Sequence, residues 1–460
     1  MSLYEPSIFR AYDIRGIYPE QINEDVAYAV GQAFVSVLKA KNVVVGRDVR
    51  SSGISLQAAL IKGITEAGAN VIEVGVISTE MLYFAAGTLD CEGGLSLTAS
   101  HNPPNWNGIK LIGPGAVPLV KEGELGQIYD FVQSGQKLTS EVVGQVSQLD
   151  LLSQYITYLQ KFIPTNISKL KLVINANFGA NGKVVDRVVA NLPLEIVRLN
   201  WNEDGTFPKG TPDPLLPKNR KEIEALVASE EADFGVAFDA DADRAFFYDE
   251  KGRAIHGYYV VAILAEYFLK KQPGSGVCYD PRLTWATIAA AEKNGGTPLP
   301  TKTGHGYFKQ NMRAHNAVFG GENSGHLYYG DFFGCDNGII SFLSVLDIFG
   351  QKIKEGGKVS EILDYYQKNY PSSEEINFIT DRAKEIIAAA KEKYAEGTLD
   401  ELDGVSMDLK DWRFNLRMSN NEPVLRLNLE STSQEGLVKQ QEELVDFIQG
   451  FGATLRNDTD

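Results

Sequence analysis

Three stretches of the chain repeat one order of apolar and polar positions. Each opens with a β-branched run that stops on a polar residue: NVVVGRD (42–48), KLVINAN (171–177) and GVCYDP (276–281). A helix-competent segment follows each run. A second strand-like piece comes next, NVIEVGV (70–76), LEIVRLN (194–200) and, less regularly, TPLPTKTGH (297–305). A third closes each stretch: GGLSLTASHNP (93–103), ADFGVAFDADADR (232–244) and NAVFGGENSGH (316–326). Strands alternating with helices predict α/β units of roughly one hundred residues. The repeat is one of pattern, with negligible identity between units. The third strand of each unit ends in that unit's least ordinary residues, where α/β layers place ligands, which suggests one site assembled from three units.

After Tyr366 the pattern changes. NYPSSEEINF (369–378) reads as a linker, because Pro371, Ser372 and Ser373 break the preceding helix. A helix over 382–394, two alternating strands, DWRFNLRMS (411–419) and PVLRLNLE (423–430), and a helix over 434–449 predict a smaller α+β domain. The expected domains are 1–150, 151–249, 250–368 and 369–460.

Composition narrows the function without choosing it. At 460 residues the chain is too long for one core, and 43% apolar and 23% charged residues are ordinary for a soluble globular protein. The formal charge of -16 argues against nucleic acid or an anionic membrane as partner. It leaves room for a small anion held by local arginines. MSLYEPSIFRAYDIRG lacks the pattern of a signal peptide, and the longest apolar run, 258–269, is interrupted by Glu266 and too short to span a bilayer. Three distant cysteines, Cys91, Cys278 and Cys335, suggest reduced thiols and a cytoplasmic protein.

Four loops carry candidate chemistry. Asp239, Asp241 and Asp243 alternate after an apolar strand; a hard divalent cation relieves their mutual repulsion. Glu250 stands at the twelfth position from Asp239, as in an EF-hand, but Arg244 replaces the required glycine and a strand leads in. Ser100 beside His101 is either a nucleophile or part of an Asn-Pro turn; adjacent residues rarely have the geometry for direct proton transfer. GGENSGH (320–326) sets Glu322, Ser324 and His326 at alternate positions, suited to sugar hydroxyls or to an ordinary loop. RMSNNEPVLR (417–426) gathers Arg417, Ser419, Asn420, Asn421 and Arg426, an anion cradle or a hairpin turn. Arg10 and Arg15 flank a short strand, and His305 lies in TGHGYFK (303–309).

Together these loops, in order and across essentially the whole chain, resemble the α-D-phosphohexomutase family, closest to phosphomannomutase/phosphoglucomutase. Thr98 to Pro103 resembles its phosphoserine loop, Asp239 to Arg244 its magnesium loop, Gly321 to His326 its sugar-recognition loop, and Arg417 to Pro423 its phosphate-binding loop. The resemblance implies an α/β fold: three similar α/β domains with mixed sheets plus a C-terminal α+β domain around a central cleft. It implies that Ser100, carried as phosphoserine, exchanges a phosphoryl group with a hexose monophosphate through a hexose 1,6-bisphosphate. Mg2+ would sit on Asp239, Asp241, Asp243 and a phosphoserine oxygen of Ser100. Arg15, His101, Lys110, Arg244 and His305 match catalytic positions. Arg282, Glu322, Ser324, His326, Arg417, Ser419, Asn420, Asn421 and Arg426 match substrate-binding ones.

Two departures stand out. Alanines 240 and 242 replace glycines of the family's metal loop, and Asn421 replaces a threonine of its phosphate loop. Asparagine after Ser419 favours mannose and glucose phosphates over glucosamine phosphate. The rival readings are phosphoglucosamine mutase, a sugar-phosphate phosphatase and a non-catalytic sugar-phosphate binder. The expected partners are small sugar phosphates, with no nucleic acid or membrane, and the expected state is a monomer or weak dimer.

Overall fold

A computed structural model describes residues 4–419 and 423–456. Its first three sheets are built on one plan. In each, the first strand of the repeat lies in the middle, with the second and third parallel to it on either side: Asn42–Arg47 between Asn70–Val76 and Gly94–Leu97, Leu170–Asn175 between Leu194–Leu199 and Phe234–Phe238, and Gly276–Tyr279 between Thr297–Pro300 and Phe319–Gly321. An antiparallel strand then pairs with the third, Trp106–Ile112, Ala245–Tyr248 or Leu327–Tyr329. The sheets are therefore mixed, and the chain turns sharply after the third strand of each unit. Those turns are the loops singled out by the sequence.

The second sheet ends in Ala254–Ile255, beyond the boundary expected at 249. The segment read as a linker also needs correction: Ile376–Ile379 inside it is a strand of the fourth sheet, which is antiparallel throughout. A further hairpin, Thr398–Asp400 with Val405–Asp408, was not anticipated. These strands are three or four residues long, and their mixed polar residues give little period-2 signal.

The apolar run at 258–269 forms a helix, Gly257–Lys271, buried on nearly every side. A helix apolar all round belongs inside a core. It lies in one continuous core that also takes Met81 from the first unit, Leu172 and Phe234 from the second, and Phe319 and Phe342 from the third. The fourth unit keeps a separate core. It is fastened through polar contacts instead. The buried Glu430 carboxylate accepts from the backbone N–H groups of Thr284 (2.7 Å) and Trp285 (2.9 Å). It thereby caps the helix Trp285–Lys293, which its own N-terminal residue leaves uncapped. Arg413 donates to the carbonyl of Arg282 at 3.0 Å, so the fourth unit meets the third beside a predicted ligand-binding arginine.

Candidate active site

The strand Gly94–Leu97 is buried throughout, and the chain leaves it through Thr98 and Ala99 to Ser100. Ser100 takes φ +50°, a left-handed conformation. Its N–H donates to Thr98 Oγ1 at 2.9 Å. Its hydroxyl donates to Asp239 Oδ2 at 3.1 Å and lies 3.1 Å from His101 Nδ1. The Ser100–His101 contact is a geometry that adjacent residues rarely have; the left-handed turn brings the two side chains together.

What holds this turn is Arg50, which the sequence reading passed over. Pro103 and Pro104 have no N–H, so the loop has too few donors of its own for all its carbonyls. The Arg50 side chain makes five hydrogen bonds, one to Asp48 and four to the carbonyls of Ser100, Asn102, Pro103 and Trp106, at 2.7 to 3.2 Å. Its guanidinium is fully buried and lies 4.9 Å from the Phe207 ring centre, on a loop of the second unit. A planar fork of five donors is what this geometry needs, and lysine cannot replace it. Arg50→Met is expected to lower kcat about 100-fold, as misplacement of a reacting group by an ångström does, with KM little changed. Steady-state kinetics on protein whose circular dichroism is unaltered, with added methylguanidinium as rescue, check this; a rise in KM alone would refute it.

The three aspartates follow the strand Phe234–Phe238 but do not continue it. They lie on a tight turn in which Ala242 takes φ +56°. Glycine would adopt that angle without strain; alanine accepts a cost of about 1–2 kcal/mol. The turn brings carboxylate oxygens of Asp239, Asp241 and Asp243 within 4.8 Å of one another, all buried. Asp241 Oδ2 accepts from Thr79 Oγ1 (2.6 Å) and Lys110 Nζ (2.8 Å), both of the first unit. Lys110 also binds Asp243. Arg244 Nε donates to Asp239 at 2.9 Å. Burial pushes the Asp239 carboxyl well above the usual range despite Arg244. Burial also opposes ionisation of Asp243, but Lys110, His326 and Arg244 overcome it and hold that carboxyl well below. Asp241 Oδ1 and Asp243 Oδ1 are buried with no hydrogen-bond partner among the described residues. Orphaned carboxylate oxygens in a set of hard oxygen donors fit a divalent cation.

Two more loops converge here. Glu322 accepts from Ser324, His326 and Tyr328, and from the N–H of Gly304. His326 Nε2 lies 3.9 Å from Asp243, joining the third unit's loop to the acidic turn. His305 opens the helix His305–Ala314, with its ring 4.8 Å from that of Tyr12. Burial drives the pKa of both His101 and His305 well below the usual histidine value. Arg244 and Arg15 add to the effect at His101, and Lys309 and Lys110 at His305. Arg15 donates to Asp13 and, at 2.9 Å, to Asn102 of the serine loop. A cleft of about 1010 Å³ opens beside these groups, lined by Arg10, Tyr12, Arg15, His101, Lys121 and His305.

Where the third and fourth units meet, Arg282 is gripped by Asp280 and reaches Glu375 at 3.3 Å. Arg426 binds the same carboxylate at 3.0 Å, and Arg417 lies 3.7 Å from Asp403. Ser419 N–H donates to the carbonyl of Val424. Asn420 and Asn421 lie outside the described residues. The sequence reading also missed Tyr12, Thr79, Lys309 and Glu375. Lys309 is a buried partner of Asp336 at 2.7 Å, and its sequence context is that of an ordinary amphipathic helix.

Comparison with known proteins agrees with this organisation. Family models described as phosphoglucomutase/phosphomannomutase alpha/beta/alpha domains I, II and III and C-terminal domain match residues 6–138, 153–252, 256–370 and 375–447. The chain is 42% identical over 433 residues to a phosphomannomutase of Salmonella montevideo, covering 92% of this chain and 94% of that one. It is 40% identical over 446 residues to a protein of Xanthomonas campestris pv. campestris named phosphohexose mutases, covering 96% and 99%. Among solved structures, a phosphoglucomutase/phosphomannomutase family protein from Burkholderia thailandensis superposes with a TM-score of 0.87 at 30% identity, over 98% of this chain and 100% of that one.

Proposed function

Because the chain belongs to the phosphoglucomutase/phosphomannomutase family and is a phosphohexomutase, we propose that it interconverts the 1- and 6-phosphates of mannose and glucose, with Ser100 as phosphoryl carrier. The observation that carries this reading is the meeting of Ser100 Oγ with Asp239 at 3.1 Å, beside carboxylates supplied by a different sheet.

Ser100, held as a phosphate ester, gives its phosphoryl group to the free hydroxyl of a hexose monophosphate. The serine O–P bond breaks, the sugar O–P bond forms, and the hydroxyl proton passes to a neighbouring base. Burial keeps His101 and His305 neutral and able to accept that proton. The resulting 1,6-bisphosphate turns, and Ser100 takes back the other phosphoryl group. Asp239, Asp241 and Asp243 would hold Mg2+, which when bound supplies positive charge for the transferring phosphoryl oxygens. Lys110, Arg15 and Arg244 surround the same point; Arg244 Nη2 is buried and unpaired among the described residues, and suits a phosphoryl oxygen. Glu322 and Ser324 would meet hydroxyls common to both orientations of the sugar. Arg282, Arg417, Ser419 and Arg426 would hold the phosphate that is not reacting. Sugar phosphate substrates and three free cysteines support a cytoplasmic setting.

The test is an assay with Mg2+ and a trace of hexose 1,6-bisphosphate, comparing the 1-phosphates of mannose, glucose and glucosamine while following free phosphate. Rapid isomerisation of the first two is expected. Preference for glucosamine 1-phosphate would overturn the choice of sugar, and release of free phosphate without isomer would overturn the transfer back to Ser100.

A further inference from the structure

Arg417 and Arg426 are register partners across the strands Trp412–Met418 and Val424–Ser431. Directly opposed residues leave the same face of a sheet, and like charges so placed repel. A third guanidinium, Arg282, approaches from another unit. The carboxylate that joins them is Glu375. Its Oε1 lies 3.0 Å from Arg426, and its Oε2 lies 3.3 Å from Arg282 and 3.5 Å from Asn428 Nδ2. Its charge also acts on Arg417. Asp280 is anchored by the N–H groups of Arg282 and Asn323, and Asp403 stands 3.7 Å from Arg417. Three arginines therefore face three carboxylates. Among the described residues, Glu375 is the one carboxylate that bridges two of these guanidiniums. Its side chain keeps 24% of its exposure.

A phosphate dianion arriving here does not meet an uncompensated cradle. It meets arginines that already hold an anion. We propose that Glu375 is an internal competitor for the phosphate site: its carboxylate occupies Arg282 and Arg426 in the free enzyme and exchanges with the non-reacting phosphate of the substrate. This rests on the mutase reading above, and it answers a need of that reaction. A bisphosphate that must turn within the site has to release the cradle once in every cycle. Three unopposed guanidiniums would grip a dianion through charge-assisted bidentate bonds. Binding that is equally strong before and during the chemical step adds nothing to its rate. A carboxylate returning to the arginines as the phosphate leaves lowers the cost of release.

The experiment uses Ser100→Ala protein, in which no transfer occurs, titrated calorimetrically with glucose 1,6-bisphosphate and separately with inorganic phosphate. Adding Glu375→Gln is expected to tighten both by about tenfold, less at high salt, as removal of one partly screened charge should. Glu375→Asp keeps the charge and should return affinity toward the parent. In the active enzyme, Glu375→Gln should lower KM and kcat together, because release becomes slower; damage to the fold would raise KM. Equal or weaker binding by the glutamine variant overturns the proposal. Arg417→Ala in the same background separates the two readings: if it binds both ligands as tightly as its parent, the phosphate cradle itself is misassigned, whatever Glu375 does.

Discussion

Ser100→Ala is expected to lose turnover by ~10^4-fold or more while binding hexose phosphates as the parent does. Removal of a group that carries the transferred moiety abolishes the route, whereas loss of a binding contact only weakens it. The Ser100 hydroxyl donates only to Asp239 and contacts His101, and neither contact holds the loop. The loop is held by Arg50, through backbone carbonyls that alanine retains. The variant should therefore fold and bind normally. Threonine should not substitute, because a β-branched residue is strained at the φ of +50° that position 100 adopts. Intact-mass measurement after incubation with glucose 1,6-bisphosphate provides a second readout. The parent should acquire one phosphate and both variants none. Full activity in Ser100→Ala would end the phosphoryl-carrier role.

Much of this site is visible in the sequence because three of its loops follow buried strands. The runs 94–97, 234–238 and 319–321 are short and, Ser96 aside, free of polar side chains, so polar residues directly after them mark where the strands stop. The parts that stay hidden are those that work at long sequence range. Arg50 follows the strand run 42–48 and carries no motif; only the folded loop shows four backbone carbonyls gathered on one guanidinium. Thr79 begins an ordinary helix and meets Asp241 across a domain boundary. Glu375 lies in a Ser-Glu-rich stretch that looks like a linker. Its meaning appears only once the pairing of Asn377 with Arg426 brings it beside two arginines. The edge strand Ala254–Ile255 is two residues long, below the length at which alternation can be read.

Asp241→Asn should weaken binding of Mg2+, measured by calorimetry or with Mn2+ as a spin probe, on the order of 100-fold or more, since substitutions one shell further out already cost up to that much. The amide matches the carboxylate in shape, so Thr79 and Thr98 can still donate to its oxygen at position 241. What changes is charge. Lys110 now bridges Asp241 and Asp243, and Arg244 binds Asp239. With a cation bound and all three ionised, the carboxylates outweigh those two cations; with asparagine at position 241 the remaining two do not. The orphaned Oδ1 atoms of Asp241 and Asp243 make the same point locally: they are buried oxygens with no hydrogen-bond donor among the described residues. Activity at fixed Mg2+ should fall with the binding and recover in part as Mg2+ is raised. Thr79→Val removes a hydrogen bond to Asp241 but no charge, so its metal affinity should lie between that of Asp241→Asn and the parent. A metal titration unchanged in Asp241→Asn would take the acidic turn out of metal binding. Lys110 and Arg244 would then be its permanent counter-ions, and the charge for phosphoryl transfer would have to come from those two side chains and Arg15.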